Sequence, residues 1–287
     1  MTRSEEQVRA DIVEAGRRLW QRGFVASNDG NISARLDERR LVTTPKSVSK
    51  GFMTPDMMVV TDLDGAKLSG ERDPSSELKM HLEVYRNRPD VGAVVHAHPP
   101  TATGFAVAGI ALDRAVLAEV ITTLGSIPIA EYATPSTEEL PAAVRRYIKA
   151  HDGLLLANHG ALAVAGDVMA AYYRMETIEH FATISLVART LGREHLLSRD
   201  EVTRLQGLRG MYGIASPAPI CMDEGAADDE GQLECQVVQA PQVSGARLVP
   251  DSPARSGAPA GVGTDTEIRL TYRELTALIE DAVKALR

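Results

Sequence analysis

Cysteine is nearly missing from this chain. Only Cys221 and Cys235 occur among 287 residues, both in a polar stretch away from every other motif. They are poor candidates for a structural disulfide or for metal ligands. Positive charge is also in deficit: 39 acidic residues outweigh 31 basic ones, giving a net charge of −8 with no basic run. That balance argues against nucleic acid as a partner. The first residues, Met1 to Glu6, contain no apolar stretch of signal-peptide length, and no segment is long and apolar enough to span a bilayer. The expectation is a soluble, cytoplasmic protein without a membrane partner. No internal repeat is visible.

The apolar fraction of 44% suits a globular core, and the length suits one substantial domain with something appended. Val8, Ile12, Ala15, Leu19 and Trp20 fall on one face of a helix over about residues 5–22. A turn rich in glycine and asparagine follows at residues 27–33. Short strand-like runs then cover residues 31–36, 40–43 and 57–62. Helices are expected over residues 76–87, 101–108, 138–150, 168–191 and 199–211, with strands ending at His98 and covering 154–157 and 161–164. Strands and helices are interspersed without a βαβ rhythm, which favours an α/β fold of three layers, α/β/α, over a doubly wound sheet.

The composition changes at about residue 215. Residues 1–215 read as the catalytic domain. Residues 216–266 are rich in Ala, Gly, Pro, Ser, Asp and Glu and nearly free of aromatic or periodic apolar residues, so they read as a disordered linker. Residues 267–287 read as an amphipathic helix, with a capping box at Thr271 to Glu274 and Leu275, Leu278, Ile279, Ala282, Val283 and Leu286 on one face.

Three stretches hold the pieces of a metal site. His96 and His98 end a β-branched run, and alternation in a strand puts residues i and i+2 on one face. His159 follows the apolar run Gly153 to Ala157 and closes a set of three histidines with one position left open, the arrangement of a catalytic zinc. Glu77 follows Ser75 and Ser76, both suitable capping residues, at a predicted helix start, where hydroxyls and backbone N–H groups suit a phosphate. Gly30 and Asn31 offer a second polar turn. Lys46 and Ser47 offer a third, with a cation. An open metal beside a carboxylate and an anion site suggests a sugar phosphate as substrate. The chemistry open to such a site is C–C cleavage, epimerisation or dehydration next to a carbonyl. His81, one turn after Glu77, is expected to be a solvated helix residue, and His151, His180 and His195 surface or helix residues.

The ordered set Asp29-Gly30-Asn31-Ile32-Ser33, Thr44-Pro45, Pro74-Ser75-Ser76-Glu77, Val94-Val95-His96-Ala97-His98, Tyr132-Ala133-Thr134 and His159-Gly160 resembles the class II aldolase/adducin family. Within it, the L-fuculose-phosphate aldolase branch is the nearest. The resemblance covers residues 5–213. It implies that His96, His98 and His159 bind one Zn²⁺ per chain and that Glu77 is the acid/base and a possible fourth ligand. It further implies that Asn31, Ser75 and Ser76 hold the phosphate, that the Lys46-Ser47 turn closes over it, and that Tyr212 is a proton donor. The implied reaction is retro-aldol cleavage of a ketose 1-phosphate of the L-fuculose 1-phosphate type, giving dihydroxyacetone phosphate and an aldehyde such as L-lactaldehyde. Alternatives are a 5-deoxyribulose or methylthioribulose 1-phosphate aldolase or dehydratase, a ribulose-phosphate 4-epimerase, and a metal-free adducin-like binding module. The epimerase branch usually carries aspartate at the position of Glu77. Two departures stand out: Leu117 to Val120 lacks the tyrosine of the fuculose enzymes, leaving Glu119 to face the cleft, and Lys46-Ser47 stands where a glycine is expected. A homotetramer is implied by the resemblance. The tail resembles the encapsulation peptides that carry enzymes to the shell proteins of bacterial microcompartments.

Overall fold

The computed structural model describes residues 4–212 and 214. The linker at 216–266, the helix at 267–287, Cys221, Cys235 and the side chain of Tyr212 lie outside the described residues. The first helix, α1 (Glu5–Gln21), starts where Ser4 accepts a hydrogen bond from the Gln7 N–H, and Glu5 and Glu6 meet the positive end of its dipole. Val8, Ile12, Ala15 and Leu19 are buried as their spacing requires. Trp20 departs from that expectation. It is 42% exposed and packs edge-on against Phe52 at 5.1 Å.

Among the described residues, eight strands form one sheet: β1 (Asn31–Arg35), β2 (Arg40–Thr43), β3 (Val59–Asp62), β4 (Lys67–Ser69), β5 (Ala93–Ala97), β6 (Ile129–Ala130), β7 (Gly153–Leu156) and β8 (Gly160–Ala165). Their order is β4-β3-β2-β1-β5-β8-β7-β6. Every pairing is antiparallel except β6 with β7. The central strands β5 and β8 are buried throughout, with small and β-branched residues that suit a sheet covered on both faces.

Helices cover the two faces. Ala93, Val95, Ala97, Ile32, Ala161 and Ala163 join α1, α3 (Pro100–Val107) and α6 (Val168–Thr190) in one apolar cluster. Val94, Leu162, Val164, Leu154 and Leu156 join α2 (Leu78–Asn87) and α5 (Glu139–Ile148) in the other. This is the α/β/α layering expected from the interspersed pattern, and the alternation along β5 decides the location of the site. Val94 points to the α2–α5 side, so His96, two residues on, points there too.

Two short strands, β4 and β6, and the helix α4 (Ala118–Thr123) carried too little periodicity to be read from sequence. The helix expected over residues 199–211 divides. Ser198 and Glu201 form a complete capping box at α7 (Arg199–Gly207), and a 3₁₀ turn over Arg209–Tyr212 follows Gly207. Among the described residues, no helix is long and apolar enough to cross a membrane.

Candidate active site

The register of the sheet assembles the site from distant segments. Asn31 in β1 lies opposite His96 in β5, and His96 lies opposite Leu162 in β8. Asn31, Ser33, His96 and His98 therefore share the α2 side of the sheet, and Glu77 enters from the residue just before α2. The rings of His96, His98 and His159 stand with centroids 4.7–5.1 Å apart. One ligand nitrogen from each lies within 4.8 Å of the other two.

Second contacts fix these rings. His96 is fully buried, and its Nδ1–H donates to the Ala161 carbonyl at 2.9 Å, which leaves a bare lone pair on Nε2. That Nε2 lies 3.1 Å from Nε2 of His98, close to the roughly 3.3 Å that two ligands of a tetrahedral zinc adopt at Zn–N distances near 2.0–2.1 Å. Asp29 Oδ2 approaches Nδ1 of His98 at 3.4 Å. Glu77 completes the set, with Oε1 3.2 Å from His159 Nε2 and Oε2 3.5 Å from His96 Nε2. Asn31 Nδ2 donates to Glu77 Oε2 at 2.7 Å.

These residues fit a divalent metal. Glu77 Oε1 is buried without a hydrogen-bond partner, and burial of an unpaired carboxylate oxygen is costly unless something else meets it. Burial pushes the His96 imidazole down to about 3 and lowers that of His98, so both rings are neutral and able to ligate near neutral pH. Burial works to raise the Glu77 carboxyl, but the His159 ring and the Asn31 amide beside it outweigh this and hold the group below the usual carboxylate range.

Gly160 is a structural condition of this cluster. A Cβ there would lie 2.6 Å from the Ala97 carbonyl oxygen, 2.6 Å from Cδ2 of His98 and 3.3 Å from Cε1 of His96. The Gly160→Ala chain is expected to part β8 from β5 and to lose metal affinity by more than about tenfold, as disturbance of ligand orientation does. Competition with a coloured chelator reads this out, and unchanged affinity would refute the steric argument.

Beside the cluster opens a polar cavity of about 250 Å³, lined by Asn28, Asp29, Gly30, Asn31, Lys46, Ser47, Lys50, Ser75, Ser76, Glu77, Pro135, Ser136, His98 and His159. Every residue predicted for phosphate is therefore at one place. The Lys46-Ser47 turn is tied to the serine pair by an isolated bridge between Pro45 and Pro74 and by the Ser75 N–H donating to Thr44. Ser47 has φ +59, the left-handed conformation that glycine adopts freely, so the serine keeps the backbone path a glycine would follow. Among the described residues, the non-glycine residues at positive φ are Ser27, Ser47, Ser136 and Asn158. Two of these line the cavity, and the other two flank it beside Asn28 and His159. Strain of roughly 1–3 kcal/mol per residue is thus concentrated at the site.

Several expectations need correction. Ser75 and Ser76 do not cap α2. Its N-cap is Glu77, with no side-chain capping bond, and Ser75 Oγ instead accepts from the Glu77 N–H at 3.3 Å. Glu119 lies in α4 and is not part of the cavity lining. His151 is buried, its Nδ1 donating to the Tyr147 carbonyl. His81 is not solvated. It is 1% exposed, with Nδ1 bonded to Ser33 Oγ at 2.7 Å, and Ser33 is in turn 2.9 Å from Tyr85 Oη. The signal missed was the helix itself, since the run Met80 to Tyr85 of α2 is buried without a break.

Burial holds His81 down at about 4 against an ordinary value near 6.5. The unfolded chain therefore binds a proton at this position that the folded chain refuses. The resulting stability is complete above pH 6.5 and is lost as pH falls from 6.5 towards 4, by about 3 kcal/mol at the low end. Urea midpoints for the native and His81→Gln chains should converge across that interval. Parallel curves would show that His81 plays no part in the acid sensitivity.

Comparison with known proteins places this geometry. Residues 10–186 match the family model described as Class II Aldolase and Adducin N-terminal domain. The chain is 34% identical over 210 residues to 5-deoxy-D-ribulose 1-phosphate aldolase of Bacillus thuringiensis serovar kurstaki, covering 72% of this chain and 98% of that protein. It is 29% identical over 208 residues to 3-oxo-tetronate 4-phosphate decarboxylase of Pectobacterium atrosepticum, covering 70% and 94%. A solved structure of L-fuculose 1-phosphate aldolase superposes with a TM-score of 0.66 at 30% identity, covering 70% of this chain and 95% of that one.

Proposed function

The chain belongs to the class II aldolase and adducin family, and on that premise we propose that it cleaves a ketose 1-phosphate to dihydroxyacetone phosphate and an aldehyde, with zinc held by His96, His98 and His159. It is a lyase of the class II aldolase type. The observation that carries the substrate class is the convergence of three histidines and an ionised carboxylate on one wall of a cavity whose other wall is built from serines and lysines.

A divalent ion at the three histidines supplies Lewis acidity to neighbouring carbonyl and hydroxyl oxygens. The chain's own groups do the rest. Ser47, Ser75, Ser76 and the Asn31 turn receive the phosphate and fix which end of the ketose faces the histidines. In the cleavage step, the C3–C4 bond breaks as the C4 hydroxyl gives up its proton, relayed by Tyr212 to the ionised Glu77, and becomes the aldehyde. The electron pair passes to C3 and the C2 carbonyl. Glu77, 3.2–3.5 Å from two of the histidine rings, lies where it can return a proton to C3. Asn31 holds its carboxylate in place through the 2.7 Å bond. Tyr212 is assigned the proton on the aldehyde side.

The two readings of the substrate are L-fuculose 1-phosphate and 5-deoxy-D-ribulose 1-phosphate, the second favoured by the 34% identity to an enzyme of that name. A coupled assay for dihydroxyacetone phosphate with each compound, before and after chelation and zinc repletion, tests the reaction. Release that disappears with chelator and returns with zinc supports it. Zinc bound one per chain with no release from either compound would move the assignment to another reaction of the family, decarboxylation included. A chain that binds no metal would revive the adducin-like binding module.

Two further assignments concern assembly. The outward side of α6 leaves Tyr173, Leu186 and Val187 about half exposed, which supports association into a homotetramer. Sedimentation velocity would settle the stoichiometry. The segment 267–287 is proposed to address the enzyme to shell proteins. If residues 1–215 enter co-expressed shells as well as the full chain does, that assignment fails.

A further inference from the structure

Lys50 is the buried cation that the chemistry above leaves unused. It sits in a short 3₁₀ turn, Lys50–Phe52, packed on α1, and it is only 2% exposed although it borders the cavity. The burial is built into the sequence: a Cβ at Gly16 of α1 would lie 2.8 Å from the Lys50 carbonyl oxygen, so glycine there lets the turn approach the helix. The Lys50 ammonium donates to the Asn28 carbonyl at 2.9 Å and the Val48 carbonyl at 2.6 Å.

Those two carbonyls belong to two different loops, each of which contributes residues to the cavity lining. Asn28 lies in the turn that carries Asp29, Gly30 and Asn31, and Val48 follows the Lys46-Ser47 turn. One ammonium therefore brackets both loops assigned to the phosphate. An ammonium has three N–H donors, and the two carbonyls take two of them. Keeping a lysine charged at such a depth is costly, and burial lowers this one to about 8, with Asp29 and Glu77 opposing the shift. A neutral amide could bridge the same two carbonyls without that cost. The fold alone does not account for a charge at this position. An anionic ligand on the far side of the two loops does, because a cation at the cavity floor attracts it through a medium of low effective dielectric.

We propose that Lys50 is a positioning residue for the anionic end of the substrate, bracketing the 28–31 and 45–48 loops and adding a fixed positive charge behind them. The proposal rests on the sugar-phosphate reading above, and its test separates the two. Inorganic phosphate serves as the probe, titrated calorimetrically into the zinc-loaded full chain and also used as a competitive inhibitor. The Lys50→Met chain is expected to bind phosphate at least about tenfold more weakly, near 1.4 kcal/mol, with KM raised by a similar factor, kcat changed far less and zinc content unchanged. Lys50→Gln retains two N–H donors for the same carbonyls but no charge, and serves if the methionine chain does not fold. Phosphate affinity within twofold of native in either folded variant overturns the proposal while leaving the cleavage assignment standing. So does a parallel fall of kcat and thermal midpoint with phosphate affinity retained. Native protein that cleaves neither ketose phosphate and binds no phosphate removes the reading and the proposal together.

Discussion

The His96→Ala chain should hold no zinc after gel filtration and show no measurable cleavage, while His195→Ala should match the native protein in both. The contrast follows from burial and second contacts. His96 is inaccessible to solvent, its tautomer is set by the Ala161 carbonyl, and its free nitrogen faces both His98 and Glu77. His195 is exposed. Loss of an outer partner of a metal ligand typically weakens metal binding about 10–100-fold, and loss of the ligand itself should exceed that. The alanine also removes the hydrogen bond to the Ala161 carbonyl and leaves a space at the metal site, at a cost of roughly 1–3 kcal/mol, so a modest fall in thermal midpoint should accompany the loss of metal. Metal analysis on the folded variant separates the two effects. A His96→Ala chain that keeps one zinc and a rate within tenfold of native would mean that the three histidines are not the ligand set.

How much of this site could be read in advance depended on the range of the contacts. His96 and His98 were legible because strand alternation is a local rule, which β5 obeys as far as Ala97, one residue before His98. His159 was legible only as the third member of a set. The pairing that brings β8 beside β5, Ala97 opposite Ala161, has no local signature. Of the two tasks read for the serine pair, capping α2 does not hold, while both residues line the cavity. Its sequence resembles a helix cap, whereas the structure gives the cap position to Glu77 and turns the serines toward the cavity. Lys50 and His81 were illegible for one reason. A polar residue is usually exposed, and burial of either depends on packing against a distant element: α1 for Lys50, and β1 through Ser33 for His81. The boundaries of the long elements, Glu5–Gln21 and Val168–Thr190, needed no such knowledge, because each is marked by a capping side chain and a sustained apolar period.

Glu77→Gln should lower kcat by about 10²–10⁴ while the chain keeps its fold, its metal and its affinity for phosphate. The amide is nearly isosteric with the carboxylate, and its oxygen can still accept from Asn31, so the side chain should stay where the 2.7 Å bond holds it. The three histidines remain to hold the metal. What is lost is the negative charge and the capacity to carry a proton, and both act only as the C–C bond breaks. Glu77→Asp separates placement from charge. It keeps the carboxylate but draws it back by one methylene, away from Asn31 and from the two histidine rings now within 3.5 Å. Its loss should be smaller than that of the glutamine variant, because a water can bridge the gap to the substrate carbon. The opposite ranking, with glutamine more active than aspartate, would mean that the position serves geometry rather than proton transfer. The acid/base would then have to come from another group at the cavity.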